Sequence, residues 1–159
     1  MGMSTVTMPS ETEMAGEIQQ FFEAFCIAFS EFDGSLIAQR YTTPYTSLNA
    51  DGTLRVFDTQ EQIAKYFQDF LNKYHEQGCR TCRFQELQVV PLGQISALAS
   101  VTWELLRNDC SVASTWRESY NLTLLCDGLR IYASTDHAEI EKRSPQGLRD
   151  KLTQKQIFT

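Results

Sequence analysis

The stretch ISALASVTWELLRNDCSVASTWRESYNLTLLCDGLRIYASTDH runs from Ile95 to His137 and alternates apolar with polar residues. That period of two is the mark of a half-buried β-strand. Turn residues at Asn108-Asp109 and Asp127-Gly128 cut it into three strands, roughly 95–106, 112–125 and 129–138. On the first strand the odd positions are Ile95, Ala97, Ala99, Val101, Trp103 and Leu105, so the odd face is the core face. Its small middle residues suit either helices pressed close or a cavity capped by Trp103. A turn centred on Asn108-Asp109 sets odd positions against even ones, turning Val112, Trp116, Glu118, Tyr120, Leu122 and Leu124 inward. A two-residue Asp127-Gly128 turn then sets Leu124 against Ile131, Leu122 against Ala133, Tyr120 against Thr135 and Glu118 against His137. Ala99, Glu118 and His137 are therefore expected in one cross-strand row on the inner face, with Asp136 pointing outward. A carboxylate beside an imidazole in a low-dielectric site is an arrangement suited to acid-base work. The competing reading is a solvated structural pair near the open end of the sheet.

Upstream, a further strand over roughly 82–90 is joined through Pro91 to Gly93, completing a long antiparallel meander. Before it the apolar period is near 3.6. Ile18, Phe21, Phe22, Phe25, Cys26 and Phe29 form one face of a helix from about Glu13, and SLIAQRY, ending before Pro44, reads as a short second helix. Asp58 or Thr59 can cap a third helix, with Glu61 or Gln62 placed for a capping box. Its apolar face is Ile63, Tyr66, Phe67, Phe70, Leu71 and Tyr74, and Gly78 ends it. Between them YTTPYTSLNADGTLRVF, Tyr41 to Phe57, reads as two short strands about an Asp51-Gly52 turn. Three helices followed by a long meander imply an α+β fold with the helices packed on one face of a curved, mainly antiparallel sheet. Residues 1–12 are expected to be a disordered leader, 13–139 one domain, and 140–159 a tail able to form a short helix.

A chain of 159 residues, 42% hydrophobic, supports one core. A formal net charge of −6 repels phosphate backbones and anionic membrane surfaces, so neither nucleic acid nor a membrane is expected as a partner. No window is long and apolar enough for a membrane span, and MGMSTVTMPSETEM lacks the regions of a signal peptide, which points to the cytoplasm. Five scattered cysteines do not form a disulfide framework. The CRTC motif, Cys79 to Cys82, follows a helix instead of opening one, so it lacks the helix N-terminus that activates a redox thiol. With only Cys110, Cys126 and His75 scattered elsewhere, no metal and no cofactor is expected.

The order of long helix, short helix ending at Tyr41, strand pair with Asp51-Gly52, third helix and meander resembles the NTF2-like superfamily, particularly its SnoaL-like and ketosteroid-isomerase-like members, over residues 14–138. The resemblance implies a cone-shaped fold with a pocket between helices and sheet. It also puts Asn49 where the isomerases have their general base, Phe25 at their tyrosine position, and Tyr120 or Asn121 near their second acid. An amide cannot accept that proton, so the isomerase mechanism itself does not carry over. What the resemblance leaves is a pocket for an apolar small molecule, lined by Phe25, Tyr41, Asn49, Tyr66, Phe70, Trp103 and Tyr120. Two functions stay open. One is an acid-base enzyme of isomerase, hydratase or cyclase type acting on a ring or polyketide-like compound through Glu118 and His137. The other is a non-catalytic association domain, a homodimer formed through the outer sheet face around Leu98 and Tyr132.

Overall fold

A computed structural model describes residues 10–138; the C-terminal tail at 140–159 and most of the expected leader lie outside the described residues. Helix α1 (Glu11–Ser30) begins two residues before the expected start because Ser10 caps it, with the Ser10 side chain accepting from the Glu13 N–H and Glu13 reaching back to the Ser10 N–H. Its inner stripe is Ile18, Phe21, Phe22, Phe25 and Phe29, each worth about 2 to 3 kcal/mol of burial relative to solvent. Helix α2 (Gly34–Ala38) is shorter than the SLIAQRY reading, and Tyr41 opens strand β1 (Tyr41–Leu48) instead of closing a helix. Gly34 explains how α2 meets the next helix. Its N–H donates to Gln68 Oε1 at 2.7 Å, and a β-carbon there would lie 2.3 Å from the carbonyl oxygen of Ala64. No other residue permits that approach.

Strand β2 (Leu54–Phe57) returns along β1, and helix α3 (Gln60–Glu76) follows, capped by Thr59 with Gln62 completing the box. Gly78, at φ 90°, stops it. Strands β3 (Cys79–Pro91), β4 (Ser96–Arg107), β5 (Val112–Leu125) and β6 (Gly128–Asp136) form the meander. The six strands make one curved mixed sheet in the order β2-β1-β6-β5-β4-β3, with β1 and β6 parallel and every other neighbour antiparallel. Cys79 and Cys82 lie within β3 itself.

The meander departs from the expected register twice, with different consequences. The β4–β5 connection takes four residues, Asn108 to Ser111, with Cys110 in the left-handed region at φ 65°. The register moves by two, so Glu118 opposes Val101 and Ala99 opposes Tyr120, and the inward parity holds from Trp116 to Leu122; Val112, expected inward, pairs with Leu106 past a further irregularity and is exposed. Between β5 and β6 the shift is odd. Leu122 pairs with Ile131 but Asn121 pairs with Ala133, leaving Tyr132 as the extra residue of a β-bulge. Beyond the bulge Tyr120 opposes Ser134 and Glu118 opposes Asp136. The expected Ala99–Glu118–His137 row is therefore corrected to Val101–Glu118–Asp136, and Asp136 faces inward.

Candidate functional site

A cavity of about 290 Å³ lies between the helices and the inner face of the sheet. Ala97 and Ala99 do not line it. They lie fully buried on the inner face, while Phe22 of α1, itself fully buried, packs its ring against Phe84, Trp103 and Tyr120. The cavity opens further along, where α3 supplies Tyr66, Phe67, Phe70 and Tyr74, β1 supplies Tyr41, Tyr45 and Ser47, and Asn49 follows just after β1. All seven residues expected to line a pocket, Phe25, Tyr41, Asn49, Tyr66, Phe70, Trp103 and Tyr120, border this space.

Its chemistry centres on Glu118. The residue as a whole is half-buried, but its carboxyl is enclosed by protein. Trp116 Nε1 donates to Glu118 Oε2 at 3.1 Å and the Tyr120 hydroxyl donates to the same oxygen at 2.5 Å. Trp103 Nε1 in turn donates to the Tyr120 hydroxyl at 2.7 Å. An indole N–H can only donate, so the tyrosine oxygen acts as acceptor toward Trp103 and its proton is committed to Glu118. Burial, reinforced by the charge of Asp136, pushes the Glu118 carboxyl up to about 8. Burial also raises Asp136. The two carboxyls stand opposite each other across β5 and β6, and Glu118, held at about 8, keeps its proton at neutral pH. With Oε2 already accepting two hydrogen bonds, that proton belongs on Oε1.

The surrounding phenols stay protonated. Burial holds Tyr41 and Tyr120 well above the ordinary tyrosine value and raises Tyr45, Tyr66 and Tyr74 as well. The Tyr45 hydroxyl is hydrogen-bonded to Ser134 Oγ. Ser47 Oγ is different. It is buried on the cavity wall and makes no hydrogen bond of proper geometry among the described residues, although the Tyr66 hydroxyl lies close enough to be drawn down by it.

His137 does not join Glu118. Its N–H donates to the Arg117 carbonyl at 2.9 Å, and its Nε2 lies 2.7 Å from Ser119 Oγ, which faces away from the core. The residue is exposed and reaches only the cavity's rim. The row expected from strand alternation thus turns Glu118 inward but sets Asp136, not His137, opposite it. Asp136 and Ser47 are the residues that sequence reasoning missed. Ser47 could have been found, since it shares the parity of Tyr41 and Tyr45 on β1; Asp136 could not, because nothing in the sequence marks the bulge.

Among the described residues no group of His, Cys, Asp and Glu side chains is arranged to hold a metal ion, and no helix is long and apolar enough to cross a membrane. No curated protein matches the chain. Solved structures do match. An NTF2-like protein with a cystatin-like fold from Novosphingobium aromaticivorans superposes at a TM-score of 0.63 with 13% identity, over 92% of this chain and 99% of that one. A candidate calcium/calmodulin-dependent protein kinase II association domain from Xanthomonas campestris gives 0.62 with 18% identity, over 88% and 99%. A candidate aromatic ring hydroxylase from Novosphingobium aromaticivorans gives 0.64 with 11% identity, over 84% and 94%. At such identities these likenesses speak for the fold alone. The family model described as NTF2-like protein (DUF6841) matches residues 13–139, and the chain belongs to that NTF2-like family.

Proposed function

We propose that the cavity binds a small apolar ring compound and that the Glu118–Asp136 pair acts on it as general acid and base, in a reaction of isomerase, hydratase or cyclase type. The observation that carries this reading is the pair of carboxyls, Glu118 and Asp136, opposite each other on the wall of an aromatic cavity. A carboxyl held near 8 keeps its proton at neutral pH, so it can donate to a developing oxyanion, while its ionised neighbour can take a proton from carbon. Tyr120, Trp116 and Trp103 fix the orientation of Glu118, and Tyr41, Tyr66 and Phe70 supply flat walls for a ring. His137, turned toward Ser119, takes no part in this pair. The test is deuterium incorporation from heavy water into cyclic ketones, followed by proton NMR. The wild type should accelerate exchange beside the carbonyl, and Glu118→Gln and Asp136→Asn should each lose that acceleration by roughly a hundredfold or more. Unchanged exchange in both variants removes the pair from the chemistry.

A second reading has its own support. The outer face exposes Leu48, Leu54, Val56 and Tyr132, an apolar surface on β1, β2 and β6, and one structural neighbour is named as an association domain. Homodimerisation through this face is compatible with a working cavity. Sedimentation showing only monomer at high concentration would count against it.

A further inference from the structure

The charge inventory of the cavity wall is one-sided. Among the described residues the lining holds Glu118, Asp136 and, at the rim, His137, and neither Lys nor Arg. Arg55 stacks on Tyr66, 5.7 Å from its ring centre, but belongs to β2 outside the wall. The remaining lining is dominated by aromatic rings, whose faces carry partial negative charge. Tyr74 lies nearly parallel to Trp116 at 6.3 Å, and Trp116 is bonded to Glu118 itself, so an aromatic surface adjoins the carboxyl pair directly. An anion placed there would meet a carboxylate and ring faces with no counter-charge. A neutral ring would leave the pair's charge uncompensated. A cation answers both.

A second observation concerns Ser47, 4% exposed, whose buried hydroxyl makes no hydrogen bond of proper geometry among the described residues and has the Tyr66 hydroxyl as its neighbour. It sits in the row of Ser134 and Tyr120, one step along the strands from the row of Asp136 and Glu118. Two rows on one face are about 7 Å apart, within the span of a small ligand with polar groups at both ends. A cavity of about 290 Å³ lies at the small end of ligand pockets.

We propose that the molecule taken by this cavity carries a positively charged nitrogen, a protonated amine or quaternary ammonium on a small apolar framework, held against the Glu118–Asp136 carboxyls and the faces of Tyr74 and Trp116, with a polar group reaching Ser47. The proposal rests on the cavity being a ligand site, as in the reading above, and not on its chemistry. Binding such a cation favours ionisation of both carboxyls, so the proton that Glu118 holds is released. Affinity then rises with pH up to about 8 and levels off. The titratable groups facing the pair are Tyr41 and Tyr45 from β1, Tyr66 and Tyr74 from α3, Tyr120 on β5, and His137 beyond β6. Burial raises all five phenols, so they remain neutral across that window.

Calorimetric titration of the full chain with 2-phenylethylamine, 2-phenylethanol and phenylacetate, three probes of one shape and different charge, tests it. The amine should bind roughly tenfold or more tighter than the alcohol, with proton release, and phenylacetate should bind weakest. Asp136→Asn and Glu118→Gln should each reduce the amine's advantage while alcohol binding persists, which also shows that the variants fold. An alcohol that binds as well as the amine, an amine preference that survives in both variants, or binding of none of the three at millimolar concentration overturns the proposal. Loss of ketone exchange with an intact amine preference would instead sink only the catalytic reading.

Discussion

Glu118 on β5 stands directly opposite Asp136 on β6, both facing the cavity, because Tyr132 is a bulge that moves the ladder by one residue. Burial raises both carboxyls; the charge of Asp136 pushes Glu118 up further, whereas the contact with Glu118 draws Asp136 back down.

Stability should fall with rising pH in a window set by Glu118. Its folded value of about 8 lies above the ordinary value of 4.5, so the native state binds more protons than the unfolded chain between these limits. The contribution is fully present below about 4.5 and is lost as pH rises through about 8. Each pKa unit corresponds to about 1.4 kcal/mol, so the loss is a sizeable share of a small domain's stability. Urea denaturation across this range should show the decline in the wild type and a flatter profile in Glu118→Gln. Equal slopes would mean that Glu118 titrates normally.

Tyr120→Phe removes the donor to Glu118 and leaves the buried Trp103 N–H without its acceptor. The expected loss is about 1 to 3 kcal/mol. Because the Tyr120 hydrogen bond favours the ionised form, the Glu118 value should move further up. Infrared titration of the carboxyl band would detect the shift, and a downward move would contradict the assigned direction of that bond.

Gly34→Ala should destabilise by about 2 kcal/mol or more, since its β-carbon would meet backbone atoms, the Ala64 oxygen at 2.3 Å and the Gln68 nitrogen at 2.9 Å. Helix α2 would have to part from α3, breaking the Gly34 to Gln68 bond. A thermal midpoint equal to wild type would show that the crossing is looser than described.

Phe22→Ala removes a fully buried ring that touches Phe84, Trp103 and Tyr120. A loss of about 3 to 5 kcal/mol is expected, at the upper end if the void stays open. Chemical denaturation measures it, and a loss below about 1 kcal/mol would indicate that α1 collapses onto the alanines of β4.

Periodicity alone made the architecture legible. The shift from a 3.6-residue to a two-residue period separated three helices from the meander, and parity along β4 and β5 turned Trp103, Trp116, Glu118 and Tyr120 inward despite a four-residue loop, because an even register shift preserves which face a side chain takes. The partner of Glu118 was decided elsewhere. Past Ile131 the residues are Tyr132, Ala133, Ser134, Thr135, Asp136 and His137, and neither alternating set is decisively apolar, so burial energy does not select a register from the local sequence. Pairing of β6 with β5 on one side and with β1 in parallel on the other fixes it in three dimensions, with Tyr132 as the extra residue. Hydrophobic alternation sets the face of a strand wherever apolar residues persist. Where they run out, only the neighbouring strands determine whether an aspartate or a histidine meets the glutamate.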